Sequence, residues 1–390
     1  MSEYQYYEFR AVDRPLTGQE MARLRAISSR ARITSTSFVN TYNYGDLRAD
    51  PEALARDYFD AFVYVANWGT HWFMLRLPKR TLARSEYAPF GTHHCFRAWT
   101  AGEHLLVSFS AEELESDWEE GEGWMDSLLP LRADLLRGDL RSLYLGWLLA
   151  VQMEEVDDGK PESPVPAGLH HLSEPLERLV EFLGIDENLL DSAAEASPDQ
   201  EIVPPSKDLL AQWIAGVPEG EKDGLLLRAA EGDSNVGAEV LRRFQAALPK
   251  APAGADPTRR TAGQLRRAAE TLAREAERRE QERLKLERER ELKRKAAEKT
   301  KRLDALATRE ESAWSDVDSL IRTKRPSDYD RAVLLLADLR DLAARSGGVP
   351  TFQQRLRGVV ERHSSKSSFL RKLREAGVGS ENAAGKRKLA

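Results

Sequence analysis

Between residues 274 and 302, 21 of 29 positions are charged, and the stretch holds no Gly and no Pro. A run of this kind cannot bury a core. It sits within a longer charged segment, residues 258–311, which reads as one long exposed helix. A helix over that whole segment would rise roughly 80 Å at ~1.5 Å per residue. Glu stands four residues ahead of a base in the pairs Glu270 and Arg274, Glu275 and Arg279, Glu289 and Lys293, Glu291 and Lys295, and Glu298 and Arg302. Each such pair adds about 0.2–0.5 kcal/mol to an isolated helix. A coiled coil is the rival reading, because Leu265, Leu272 and Leu286 share a heptad register with Ala269 and Ala276 as companions. Arg279, Arg283, Arg290 and Lys293 fall on the same seam, however, which a sustained coiled coil fills with apolar residues. The pattern favours a solitary or weakly paired helix.

The helix divides two regions of opposite charge. Residues 1–250 carry 24 Lys and Arg against 42 Asp and Glu, and residues 251–390 carry 34 against 22. A pI near 5.8 therefore hides an acidic body and a basic arm. Such asymmetry suits an acidic partner for the arm, either nucleic acid or an acidic protein face. The plainer reading is two solvated faces. No apolar run approaches the length of a membrane span, and the first nine residues lack the basic and apolar regions of a signal peptide. Cys95 is the single cysteine, so no intrachain disulfide can form. A soluble, cytoplasmic chain that makes no membrane contact is expected.

The body reads as an α+β domain over residues 1–156. Residues 4–12 alternate as a strand does. Thr17 and Glu20 form a capping box ahead of a helix through Ile27, and residues 33–44 read as a second strand. Asp50 before Pro51 opens a helix that is expected to carry Leu54, Tyr58, Ala61, Phe62 and Val65 on one face. Residues 72–77, 93–99 and 104–110 read as strands, the last two joined by a hairpin over residues 100–103. This order suggests helices on one face of a mixed sheet. Helices follow in residues 128–151, then a polar, proline-bearing linker at 157–166. Residues 167–249 read as an all-helical subdomain. Residues 250–257, rich in Pro, Ala and Gly, mark the border with the charged helix. Beyond it, Trp314, Val317, Leu320 and Ile321 begin a series of four apolar helical faces. They predict a small basic helical bundle over residues 313–376, with residues 377–390 as a disordered tail.

Three stretches carry a resemblance: Tyr4-Gln5-Tyr6-Tyr7-Glu8-Phe9 with Asp13-Arg14-Pro15-Leu16, then Ala66-Asn67-Trp68-Gly69-Thr70, and Ser367-Ser368-Phe369-Leu370. Together they resemble a family of uncharacterised bacterial proteins over most of the chain. Some members of that family are associated with proteins bearing a SWIM-type zinc motif. The family has no established activity, so the resemblance implies no catalytic residues.

Few residues point to a chemistry. His93 and Cys95 could share one face of a strand, and His104 could join them from the paired strand as a metal site. The set has no C-x-x-C or H-x-x-x-H spacing, and ordinary strand residues are the plainer reading. Cys95 beside a histidine also has the makings of a nucleophile. His170 and His171 read as surface residues. The rings Tyr4, Tyr6, Tyr7, Trp68, Trp72 and Trp99 suit either a core or a stacking platform. Phosphate-binding glycine loops and H-E-x-x-H are absent from the sequence, so no cofactor is expected. The candidate partner-binding residues are basic: Arg322, Lys324 and Arg325 in one cluster, and Arg371, Lys372 and Arg374 in another. Arg355, Arg357, Arg362, His363 and Lys366 lie between them.

The leading expectation is a non-enzymatic interaction or scaffold protein, in which the charged helix separates the acidic body from a basic docking bundle and a protein is the partner. The alternatives are a nucleic-acid accessory protein that docks through the bundle, and an enzyme that uses Cys95 and histidines of the body.

Overall fold

The computed structural model describes residues 3–114, 120–199, 206–248 and 259–378. The chain forms two compact units, Met1–Glu277 and Arg278–Ala390. The expected border at 250–257 lies outside the described residues.

The first unit is built on seven strands: β1 (Gln5–Arg10), β2 (Arg32–Ile33), β3 (Ser37–Tyr42), β4 (Ala61–Ala66), β5 (Thr70–Pro78), β6 (Phe96–Ala101) and β7 (His104–Ala111). They pair in the order β2-β3-β1-β4-β5-β7-β6. Every pairing is antiparallel, so the sheet is not mixed as expected. Helices also cover both faces rather than one. On one face, Tyr7, Phe9, Phe62, Tyr64 and Met74 pack with α1 (Gly18–Ile27) and α2 (Pro51–Asp57). On the other, Tyr6, Val63, Val65, Phe73, Leu75, Val107 and Phe109 meet the helices that follow β7.

The helix starts match the sequence signals. Thr17 Oγ1 accepts from the Glu20 N–H at 3.3 Å, and the Glu20 carboxylate accepts from the Thr17 N–H at 2.7 Å. Asp50 caps α2 through the Glu52 N–H at 3.0 Å. The expected helix does not run on to Val65, however. It stops at Asp57, and residues 61–66 are β4. All six residues of β4 are buried, so both of its faces are apolar and its pattern mimics a helix stripe. The expected strand at 33–44 is broken into β2 and β3. The expected strand at 93–99 begins only at Phe96, and the hairpin link shortens to Gly102 and Glu103 between paired Ala101 and His104. Gly102 sits at φ 61°, where a side chain would be strained.

After β5 come a short α3 (Arg84–Tyr87), then α4 (Trp124–Leu128), α5 (Pro130–Arg137), α6 (Arg141–Gln152), α7 (Glu174–Leu183) and α8 (Glu187–Ala194). Tyr144 and Trp147 of α6 are fully buried. Leu176, Leu179, Phe182, Leu189 and Ala193 belong to the same core as the sheet. The first part of the expected helical subdomain is therefore one layer of the body. Next come α9 (Lys207–Gly216), α10 (Glu219–Ala230) and α11 (Val236–Ala247), and neither α9 nor α10 has a buried residue. Charge ties this last group to the body: Arg80 pairs with Asp233 at 2.5 Å and Glu239 at 3.0 Å. Asn235 donates to Asp13 at 3.2 Å, and Asp13 in turn binds Arg132 at 2.7 Å.

The charged helix α12 spans Ala262–Ala307, shorter at both ends than expected. Its start is a capping box, with the Gln264 N–H donating to Thr261 Oγ1 and the Gln264 side chain accepting from the Thr261 N–H. The stretch at 157–166 is no free linker. Its Glu162 is 4% exposed and takes Arg260 at 3.0 Å and the Tyr144 hydroxyl at 2.6 Å. Ala262, Leu265 and Ala269 enter the first core, which removes Leu265 from any coiled-coil seam. Every residue from 276 to 302 is exposed.

The second unit holds α13 (Glu310–Arg322), α14 (Pro326–Ser346), α15 (Val349–Arg362) and α16 (Ser367–Glu375). The four apolar faces meet in one core with Leu303 and Leu306 of α12. Val378 is buried in it too, so the expected tail does not begin at 377. Residues 379–390 lie outside the described residues.

Candidate interaction surfaces

The register of the β6–β7 hairpin separates the three candidate metal ligands. His104 stands at the turn opposite Ala101, while Cys95 lies six residues back, beside Ser110. Six strand residues span about 20 Å, too far for one ion. Among the described residues, no group of three or more His, Cys, Asp or Glu is placed to hold a metal. Instead, one carboxylate organises residues 93–95. Glu155 accepts from the backbone N–H of His93, of His94 at 2.7 Å and of Cys95 at 2.9 Å. Burial opposes ionisation of Glu155, but these donors outweigh it and hold its carboxyl below the usual range. Burial first, and then the bond to Glu155 and its charge, push the Cys95 thiol up to about 12. A buried thiol kept protonated beside a carboxylate is the reverse of an activated nucleophile.

The six candidate rings do not form one platform. Tyr4 and Tyr6 belong to one core and Tyr7 to the other, with Trp72 and Trp99 packed on the side of Tyr7. Trp68 is half exposed in the β4–β5 turn.

The basic candidates divide by partner. Lys372 is committed to Asp330 and also donates to the Pro326 carbonyl at 3.3 Å. Arg371 lies 3.9 Å from Glu375, and Arg374 bonds the Leu370 carbonyl of its own helix. Arg355 pairs with Glu311 at 2.5 Å, and Arg362 and His363 both reach Asp318 at 2.9 Å. Arg322, Lys324 and Arg325 form no ion pair among the described residues. They occupy the α13–α14 turn, which Lys372 touches through Pro326. Lys324 sits there at φ 61°. Of the six partner-binding candidates, the first cluster offers unspent charge and the second is largely engaged within the bundle.

The body carries a second surface, on α7 and α8. A groove of about 810 Å³ runs between α7, α8 and the first part of α12. Its floor is apolar, with Leu169, Ile185 and Ala194 buried and Leu172, Val180 and Leu190 half-buried. Its rim is a row of exposed carboxylates: Glu177, Glu181, Glu187, Asp191 and Glu195. Only Glu181 has an ion pair among the described residues, to Arg178 at 2.5 Å. The carboxylates repeat at four-residue intervals, which places them on neighbouring turns of each helix. Like charges at that spacing destabilise a helix by about 0.2–0.5 kcal/mol per pair. His170, foreseen as a surface residue, is exposed and lines the same groove. The repeat was present in the sequence as a signal. What the sequence could not show is that both rows border one apolar floor.

Compared with family models, curated proteins and solved structures, the chain matches none.

Proposed function

We propose that this chain is a non-enzymatic, cytoplasmic interaction protein whose body takes up a basic amphipathic segment of a partner protein. The groove between α7 and α8 carries this reading: its carboxylates repel one another at i, i+4, and four of the five lack an ion pair among the described residues. A segment with Leu or Phe for the floor and Lys or Arg for the rim would relieve that repulsion while burying the apolar strip. α12 contributes residues to the core of each unit. The bacterial family resemblance brings no activity to transfer, so the reading rests on the groove.

The test is a photo-crosslinking amino acid at Leu172 of the full-length chain in its native cells. Mass spectrometry should find adducts to protein segments in which Lys or Arg alternates with apolar residues. Glu187→Lys with Asp191→Lys should remove them. Adducts that survive the charge reversal, or none at all, would overturn the reading.

The second reading, nucleic-acid docking, draws on the unpaired charges of Arg322, Lys324 and Arg325. It requires generic duplex DNA or single-stranded RNA to bind the full chain with a steep salt dependence. Replacing these three residues with Ala should then weaken binding uniformly across sequences. The interaction reading expects no tight complex with either.

A further inference from the structure

One row of the sheet passes through Asn40, Tyr7, Tyr64, Trp72 and Ser110, successive partners on β3, β1, β4, β5 and β7. Its three central members are aromatic and lie on the face that α1 and α2 cover elsewhere. The chain between β3 and α2 leaves a gap beside the half-buried Trp72, while Tyr7 and Tyr64 are buried, at 5% and 8% exposure. Tyr7, Tyr64 and Trp72 line a cavity of about 270 Å³ together with Asp46, Leu47, Ala49 and Pro51.

The walls are fixed before any ligand arrives. The Tyr7 and Tyr64 rings stand 4.7 Å apart between centroids. Trp72 meets Phe62 edge-on at 5.1 Å, and its indole N–H donates to Ser108 Oγ at 2.8 Å. The hydroxyls are already engaged. Tyr64 donates to Gln5 Oε1 at 3.0 Å and Tyr7 donates to Asp46 Oδ1 at 2.5 Å, while the Gln5 amide is held on the Gly45 carbonyl at 2.9 Å. What the cavity offers is therefore the half-buried Trp72 ring, the accessible margins of Tyr7 and Tyr64, and one exposed carboxylate. Asp46 Oδ1 also accepts from the Leu47 N–H at 2.6 Å, and Oδ2 accepts no hydrogen bond among the described residues. Neither Lys, Arg nor His is among the lining residues to neutralise Asp46.

Ring faces are negative, and a carboxylate beside them adds to the field that attracts a cation. A neutral aromatic ligand would use the faces but gain nothing from Asp46. An anion would be repelled by both. The volume falls just below the usual range for whole small-molecule pockets, about 300–1,000 Å³, and suits a head group or one side chain. We propose that this cavity binds an organic cation of the alkylammonium class, seated on Tyr7, Tyr64 and Trp72 and paired with Asp46. The cation is either a free small molecule or a lysine-type side chain of a partner. The site shares no residue with the carboxylate groove, so either proposal can fail while the other stands.

The experiment titrates the full-length protein by calorimetry and by intrinsic fluorescence with four probes. These are choline, its neutral isostere 3,3-dimethylbutanol, and the Nα-acetyl amides of lysine and of trimethyllysine. Saturable binding of a cationic probe is expected, with the neutral isostere weaker by about tenfold or more. Tighter binding of the lysine derivatives assigns the site to a partner's side chain, and tighter binding of choline assigns it to a free cation. Asp46→Asn, at an exposed position, should weaken the cation by about threefold or more and leave the isostere unchanged. Trp72→Leu should abolish binding, with circular dichroism as the check on folding. Isostere binding as tight as choline, an unchanged affinity in Asp46→Asn, or no saturable binding by any cation would each overturn the proposal.

Discussion

Single carboxylates decide what the residues around them can do. Glu155 fixes three consecutive backbone donors and adds to burial, the larger cause, in keeping the Cys95 thiol protonated. Alkylation of native Cys95 by iodoacetamide at pH 8 should accordingly run ~100-fold or more slower than in denaturant. Rapid native labelling, followed by mass spectrometry, would contradict this. Asp60 does comparable work inside the body. It accepts Arg76 at 2.8 Å and the N–H groups of Val12 and Asp13 at 2.7 and 2.9 Å. Burial favours its neutral form, but Arg76, these two donors and Arg132 prevail and lower its pKa. A depressed folded pKa contributes stability above the unfolded value, about 3.9, and that stability is lost as pH falls through the folded value. Asp60→Asn leaves Arg76 buried without its counter-charge and should cost about 3–5 kcal/mol in urea unfolding at pH 7. It should also flatten the loss of stability below pH 4.

At the scale of elements, packing overrules local preference at α6. Gly146 lies in mid-helix, where Ala would ordinarily gain about 1 kcal/mol. A Cβ there would stand 2.6 Å from Phe96 and 2.9 Å from Phe109. Gly146→Ala should therefore destabilise the protein, by about 1–3 kcal/mol in denaturant titration. A more stable variant would show that α6 can lift off the sheet. The same competition explains which elements were legible in the sequence. The bundle helices, half-buried, displayed their apolar faces at helical spacing, and Thr17 and Asp50 announced their helices through capping chemistry. β4 mimics a helix in sequence because a strand buried on both sides has no polar phase to reveal its period of two. His104 and Cys95 are close in sequence, but residues on the two arms of a hairpin part by the strand length once the register is set. Glu177, Glu181, Glu187, Asp191 and Glu195 were visible as residues. Their shared rim depends on how α7 and α8 pack, which no local pattern records.

At the scale of the whole molecule, two compact units imply two cooperative unfolding events. One contains the sheet and Trp147, and the other contains Trp314 and Leu336. Leu336 is fully buried, so Leu336→Asp should abolish the calorimetric transition of the second unit and leave that of the first nearly unchanged. A single merged transition in the unaltered chain, displaced as one by this variant, would show that the two units unfold as one. The ends of the sheet have a further consequence. Its first edge is β2, only two residues long. At the other edge, Thr92 folds back on β6, its N–H donating to the Phe96 carbonyl at 2.9 Å and its hydroxyl accepting from the Phe96 N–H at 3.0 Å. A free strand edge is a template on which other chains can add and aggregate, and short or self-covered edges withhold it. The two features shorten the stretch of edge on which a second copy of the sheet could add.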